Sequence, residues 1–255
     1  LTSPAVNQPI ITWDTSSIIG IPTFDTLTSS RASTTTVDIN ATYLILFDNV
    51  NFTTQKYDTV NLTINSATSG ANGLDTGVYA ATTYYANWVI GKTDGTEAGL
   101  HSLSFSAPTI PAGFTLKKLV GATFCVSISP VVFKNYQQVD NWIAIAETAV
   151  LNTSSPTSGA IDISSAVPTI AKIAGGWLDG RIGGGNVTVT VASDVGTTLG
   201  VSRLKSTNVI GHGSAVGTQH TIAFIMPITL SQTIHYSTVN ADFVAVDITS
   251  FYINL

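Results

Sequence analysis

The chain has 255 residues, of which 44% are hydrophobic and only 10% charged, and its formal net charge is −5. This composition excludes an intrinsically disordered chain, because disorder requires weak hydrophobicity and high net charge. The ten Lys and Arg residues are scattered, and Lys117-Lys118 is the only basic pair in the sequence. Nucleic-acid binding needs a clustered basic surface and is therefore not expected.

The sequence contains neither a run of about 18 apolar residues, which a membrane-spanning helix requires, nor a signal-peptide pattern. Because it begins at Leu1 rather than Met, we interpret it as a processed or excised portion of a longer protein. Cys125 is the single cysteine and lies in a strand-like sequence, which favours a buried hydrophobic role over a catalytic thiol. The lack of disulfides favours folding in a reducing cytosol.

Residues 1–36 are rich in Ser, Thr and Pro, and Pro4, Pro9 and Pro22 interrupt regular structure. We expect an irregular N-terminal arm here. It would either pack along the main body or dock on a neighbouring subunit.

From Thr36 onwards, hydrophobic and polar residues alternate with a period of two, and Val, Ile and Thr dominate. This pattern predicts β-strands separated by loops rich in Gly, Asn and Ser. The strands are expected at 37–40, 43–47, 60–64, 78–90, 100–105, 116–129, 139–146, 170–177, 186–192, 220–228, 232–236 and 243–254.

Many short strands predict an all-β fold, an antiparallel β-sandwich resembling a jelly roll, over residues 37–255. The halves 37–150 and 151–255 have similar strand density. They form either the two sheets of one sandwich or two packed β modules.

A more specific pattern begins with the aromatic strand Tyr84–Ile90, the turn Asp94-Gly95 and a proline-containing corner at 107–115. Further segments follow in order at 117–121, 161–175, 225–228 and 232–236. Together they resemble a β-rich module of bacteriophage tail fibres and other appendages, over most of residues 75–255. Two departures are Phe114, where Tyr is common, and Leu119, where Arg or Ile is usual.

The resemblance implies a virion fibre, spike or appendage subunit that is assembled in the host bacterial cytoplasm. It implies a homotrimer, contacts with other virion proteins, and attachment to a glycan or protein on the host surface. One alternative is a capsid decoration or tail-structural protein without receptor binding. Another is a carbohydrate-active enzyme or a bacterial surface lectin.

The motif residues have an expected structural role. Pro108 and Pro111 fix φ and stiffen the corner, and Gly113 is expected to adopt a φ that other residues resist. Trp88 and Phe114 are expected to seal this corner onto the core.

No catalytic, cofactor or metal site is expected. The histidines, His101, His212, His220 and His235, form no metal-binding spacing. Most acids lie in turns, where Asp bonds its own backbone. Asp140 and Glu147, which flank Trp142, are the most plausible pair for a hydrolase.

Two aromatic residues are candidate glycan contacts because polar groups lie next to them. Tyr57 precedes Asp58, and Trp177 lies two residues before Asp179 and four before Arg181. A buried or interface aromatic is the competing interpretation at each position.

Overall fold

The computed structural model describes residues 23–182, 187–193, 202–206, 219–239 and 241–255. Every regular element in these residues is a β-strand, which confirms the all-β prediction. The strands are β1 Phe24–Asp25, β2 Thr28–Arg31, β3 Thr36–Asp48, β4 Thr53–Asn65, β5 Gly73–Leu74, β6 Thr83–Gly91, β7 Glu97–Ser102, β8 Leu116–Ile128, β9 Val131–Phe133, β10 Tyr136–Val139, β11 Trp142–Thr153, β12 Gly159–Asp162, β13 Ala171–Ile182, β14 Val187–Ala192, β15 Ser202–Ser206, β16 Gln219–Pro227, β17 Thr233–Val239 and β18 Ala241–Ile253.

Fourteen of these strands form one sheet, and the other four form a second with the order β12-β17-β14-β15. The main path of the large sheet is β16-β13-β18-β11-β10-β2-β3-β8-β6-β7-β5, with β1 and β4 on β3 and β9 on β8. Neighbours are antiparallel except for the short parallel pair β5–β7. The last described strand, β18, lies between β11 and β13.

The main hydrophobic core draws on both halves of the chain, since one buried cluster includes residues from Leu27 to Ile253. In β4, for example, Val60, Leu62 and Ile64 point into this cluster, and the polar residues between them are exposed. Strands from both halves, 37–150 and 151–255, therefore lie in the same large sheet and contribute to one core.

The expectation of an irregular arm is wrong for residues 23–36. There β1 pairs with β3, and β2 is hydrogen-bonded between β3 and β10, with Leu27 fully buried beside it. The prolines that suggested irregular structure all precede Thr23, so nothing prevents this segment from joining the sheet. The remainder of the predicted arm, residues 1–22, lies outside the described residues.

A second, smaller core of Ala86, Trp88, Ile90, Ala98 and Leu100 lies under the proline-containing corner. Phe114 packs against this cluster, and the Trp88 indole N–H donates to the Ser104 carbonyl at 2.9 Å. Gly113 has a φ of 85°, the left-handed conformation expected for it. Pro108 is buried, and the Phe114 amide donates to the Pro111 carbonyl at 3.2 Å. These contacts fasten the corner to strands β6 and β7.

Candidate functional site

Trp177 lies in the middle of β13 with 43% of its surface exposed, although β13 is flanked by β16 on one side and β18 on the other. Across the sheet it is opposite Ala223 of β16 and Asp247 of β18. The small Ala223 side chain cannot cover the indole. The sheet therefore presents one aromatic ring to solvent.

Three carboxylates and a hydroxyl surround this ring. A shallow recess of about 310 Å³ is lined by Glu147, Trp177, Asp179, Thr221 and Asp247, which we call the Trp177 face. Asp179 lies two residues beyond Trp177 and so projects from the same side of β13. Glu147 comes from β11, where the register with β18 shifts between Ala144 and Thr148.

The electrostatics of the Trp177 face are those of crowded negative charges. Partial burial raises the pKa of Asp247, and the charges of Glu147 and Asp179 raise it further. Oδ1 of Asp179 is buried without a hydrogen-bond partner in the described part of the chain. Arg181 lies further along β13, but it pairs with Asp242 at 2.9 Å. It is therefore engaged away from the three carboxylates.

This arrangement suits an uncharged polyhydroxylated ring. The flat indole can pack against the apolar C–H face of a sugar, while carboxylate oxygens accept hydrogen bonds from its hydroxyl groups. The same carboxylates repel anions, because like charges in a partly desolvated recess interact strongly. Sialylated or sulfated sugars are therefore disfavoured.

The hypothesis that Tyr57 contacts a glycan is wrong. The side chain is buried in β4, where its hydroxyl donates to the Lys92 carbonyl at 2.6 Å. A Cβ at Gly91 would lie 2.3 Å from this hydroxyl, so the glycine makes room for the ring. Tyr57 is therefore a core residue.

The sequence pairing of Asp140 with Glu147 is not found in the structure. Asp140 occupies the turn between β10 and β11, with φ 52°, and its amide donates to the Leu27 carbonyl at 2.7 Å. Glu147 instead meets Asp179 and Asp247. Sequence reasoning missed Asp247, because only the β13–β18 register places it beside Trp177.

Three further candidate reactive groups, His101, Cys125 and His235, are buried. Nδ1 of His101 lies 2.8 Å from the Tyr79 hydroxyl, and burial lowers the pKa of His101 to about 3. Burial also raises the pKa of the Cys125 thiol, whose Sγ donates to the Ser127 carbonyl. His212 lies outside the described residues, as does the His220 side chain, and His235 is mostly buried.

Metal-binding clusters and membrane-spanning helices are both absent from the described ranges. Among those residues, no group of three or more His, Cys, Asp and Glu side chains could hold a metal ion. The same residues contain no helix that is long and apolar enough to cross a membrane.

No protein-family model matches this chain, and no curated protein matches it. The solved structures with a weak likeness to this chain include two bacterial toxins and a viral particle protein. The insecticidal delta-endotoxin Cry8Ea1 from Bacillus thuringiensis is 11% identical with a TM-score of 0.23, over 91% of this chain and 53% of that chain. The T13 IBDV viral particle protein is 13% identical with a TM-score of 0.24, over 90% and 70%. The mosquito-larvicidal Cry4Aa toxin from the same bacterium is 11% identical with a TM-score of 0.19, over 91% and 52%.

This chain thus spans about half the length of the two toxin chains. At such TM-scores the likeness carries no argument about function.

Proposed function

We propose that the chain is a non-enzymatic subunit of a virion appendage, a fibre or spike, and that it attaches to a carbohydrate on the host-cell surface. The subunit assembles with copies of itself, as a homotrimer, and joins other virion proteins. The exposed indole of Trp177 among hydrogen-bond acceptors supports the attachment. The resemblance of residues 75–255 to phage appendage modules and the low charge content support the virion role.

The shape of the Trp177 face favours weak, repeated contacts. The recess is shallow and offers one ring, so a single subunit would hold one or two sugar residues of a surface polysaccharide. Several subunits on one particle convert such contacts into firm attachment, because the later contacts are effectively intramolecular. The preferred ligands are neutral sugars and amino sugars, since the three carboxylates repel anionic ones.

A glycan titration followed by isothermal titration calorimetry tests this proposal. Wild-type protein is expected to bind neutral or hexosamine-containing oligosaccharides and not sialylated ones. Trp177→Ala should weaken binding at least 10-fold, while Trp177→Phe should retain part of it because an aromatic ring remains.

Ile225→Ala provides a matched control. Ile225 is an exposed apolar side chain of β16, opposite Gly175 and outside the recess, so its loss should leave binding unchanged. Equal affinity of wild type and Trp177→Ala for every neutral glycan that binds would refute the assignment of the site. Failure of wild type to bind any neutral or amino sugar would refute the carbohydrate proposal.

Hydrolysis of the bound glycan is the competing function, favoured by the carboxylates of Glu147 and Asp247 beside the ring. A glycosidase uses one protonated and one ionised carboxyl group, and Asp247 has a raised pKa. Wild-type protein should therefore be incubated with a bound oligosaccharide and the products examined by mass spectrometry. If wild type cleaves the glycan and the Glu147→Gln and Asp247→Asn variants do not, the protein is a glycoside hydrolase and not an adhesion subunit.

A further inference from the structure

We propose that copies of this chain associate head to tail, with the β3–β4 hairpin tip of one copy seated in an apolar cavity on the next. The tip consists of residues 49–52, and the cavity lies at the opposite end of the same hairpin. This contact rests on the self-association in the proposed function, and it is separate from the contacts that hold the homotrimer, because it joins such oligomers end to end. The tip and the cavity share no residue with the Trp177 face.

The tip exposes two apolar side chains on a rigid turn. Val50 is 83% exposed and Phe52 is 91% exposed. The Asp48 carboxylate holds the turn, since Oδ1 accepts from the amides of Val50 at 2.8 Å and Asn51 at 3.0 Å. Oδ2 accepts from the Asn51 side-chain amide at 2.8 Å. The tip is therefore ordered before any partner arrives.

Phe52 is an unusual residue for this position. Its φ is 53°, a left-handed conformation that turns ordinarily fill with Gly, Asn or Asp. A phenylalanine here has an unfavourable backbone conformation and an unfavourably solvated ring. Burial of the ring in a second molecule offsets the solvation penalty.

The cavity has the matching chemistry. It is a recess of about 400 Å³ that is open to solvent, and its apolar lining comes from Leu74, Val78, Tyr79, Ile128 and Val131. No Lys, Arg, Asp or Glu residue is among its lining residues. Val78 is 85% exposed at the rim. The space can accept a phenylalanine ring without desolvating a charge.

The hairpin fixes the distance between the two surfaces. The strands β3 and β4 keep one register from Thr36–Asn65 to Asp48–Thr53, and only the position of Thr42 and Thr59, where Thr59 has a φ of 60°, is left unpaired. The tip directly follows Asp48, and the cavity wall begins at Ser66. At about 3.3 Å per residue, the two ends lie roughly 40 Å apart.

The tip therefore cannot reach the cavity of its own chain. A tip-to-cavity contact joins different patches on two copies, and such a heterologous contact can repeat in a line. Two side chains bury much less than the roughly 1,200–2,000 Å² of a stable interface. The contact is consequently weak and reversible, and it strengthens when several tips of an oligomer engage together.

Two aspartate variants test the geometry. Phe52→Asp removes the apolar ring from the tip, and Val78→Asp places a charge at the rim of the cavity. Both positions are exposed, so we expect both variants to fold, and thermal unfolding checks this. In sedimentation experiments at several hundred micromolar, wild type should gain mass with concentration, and each variant alone should not. In an equimolar mixture, the intact tip of Val78→Asp can enter the intact cavity of Phe52→Asp. One contact per pair of molecules should therefore return.

Covalent trapping gives a second measurement that does not depend on affinity. A protein with Val50→Cys and Ala67→Cys should form a ladder of multimers on oxidation, and Val50→Cys alone should not extend beyond dimers. The inference would be overturned if the mixture of the two variants did not associate. It would also be overturned if Val78→Asp alone associated as strongly as wild type. Glycan binding by Phe52→Asp should equal that of wild type, so failure here is distinguishable from failure of the proposed function.

Discussion

The Tyr136 hydroxyl lies 2.7 Å from the Ser29 hydroxyl, a buried contact that joins β10 to β2. The same oxygen accepts from the Asn87 side-chain amide at 3.1 Å and lies 3.1 Å from the Thr123 hydroxyl. Thr123 in turn donates to Oδ1 of Asn87 at 2.9 Å. One phenol thus connects polar groups of four strands inside the sheet.

Removing this hydroxyl is expected to destabilise the fold. Tyr136→Phe should lower the free energy of unfolding by about 1–3 kcal/mol, because the Asn87 amide would stay buried without its partner. Urea denaturation measures the change. Ser29→Ala should have a smaller effect alone, and the double variant should lose less than the sum of the two. A loss below about 0.5 kcal/mol for Tyr136→Phe would contradict this role of the network.

Burial of His101 should make stability fall in mild acid. Its pKa is lowered from 6.5 to about 3 by burial, so at pH 5 the unfolded chain binds a proton on this ring and the folded chain does not. Between pH 6.5 and 3 this group therefore lowers stability by about 1.4 kcal/mol for each pH unit of acidification. Denaturant titrations of wild type and His101→Asn at pH 7, 6 and 5 check this. Parallel pH profiles of the two proteins would show that His101 is not responsible.

Lys118 is a buried cation on β8, and burial lowers its pKa from 10.5 to about 8. At pH 7 the folded protein holds a charge that the unfolded chain solvates better. Stability should therefore rise as the pH increases from 8 to 10.5 and the folded amine loses its proton first.

The variant Lys118→Met should be more stable than wild type at pH 7 by about 1–2 kcal/mol, with a smaller advantage at pH 10. The methionine side chain carries no charge and keeps most of the length of the lysine side chain. Thermal unfolding at both pH values measures this, with Lys117→Met as the control on the more exposed neighbour. Destabilisation by Lys118→Met at pH 7 would contradict the prediction.

Gly176 supports the Trp177 face from the neighbouring position. A Cβ there would lie 1.9 Å from the Asp247 carbonyl oxygen, which belongs to the backbone and cannot rotate away. Gly176→Ala should destabilise the protein by about 3 kcal/mol or more and weaken glycan binding, because β13 must move away from β18. Gly159→Ala is the control, since its nearest atom is 4.0 Å away. Wild-type stability in Gly176→Ala would show that the two strands can separate freely.

Long strands with regular alternation were predictable from sequence because periodicity and burial agree in them. The strand expected at 116–129 is β8, Leu116–Ile128. The strand expected at 78–90 begins only at Thr83, because Val78 points to solvent and Thr82 has a φ of 51°. Two-residue strands such as β5 follow from tertiary contacts, which periodicity does not report.

The candidate site was predictable only in part. Trp177 and Asp179 are near neighbours in sequence, and alternation along a strand is enough to place them on one side. Asp247 joins them through pairing across about 70 residues, and Glu147 through an irregularity in β11. Strand order and register are properties of the whole sheet. Short-range sequence patterns therefore predict the position of Trp177 but not that Glu147 and Asp247 lie beside it.

The central position of β18 has a consequence for biosynthesis. Residues 241–253 fill the space between β11 and β13, so both of those 12-residue strands keep an open edge until the ribosome has released this segment. Open edges pair readily with other chains. We therefore expect chains that lack a docked β18 to pair with one another along the exposed edges of β11 and β13.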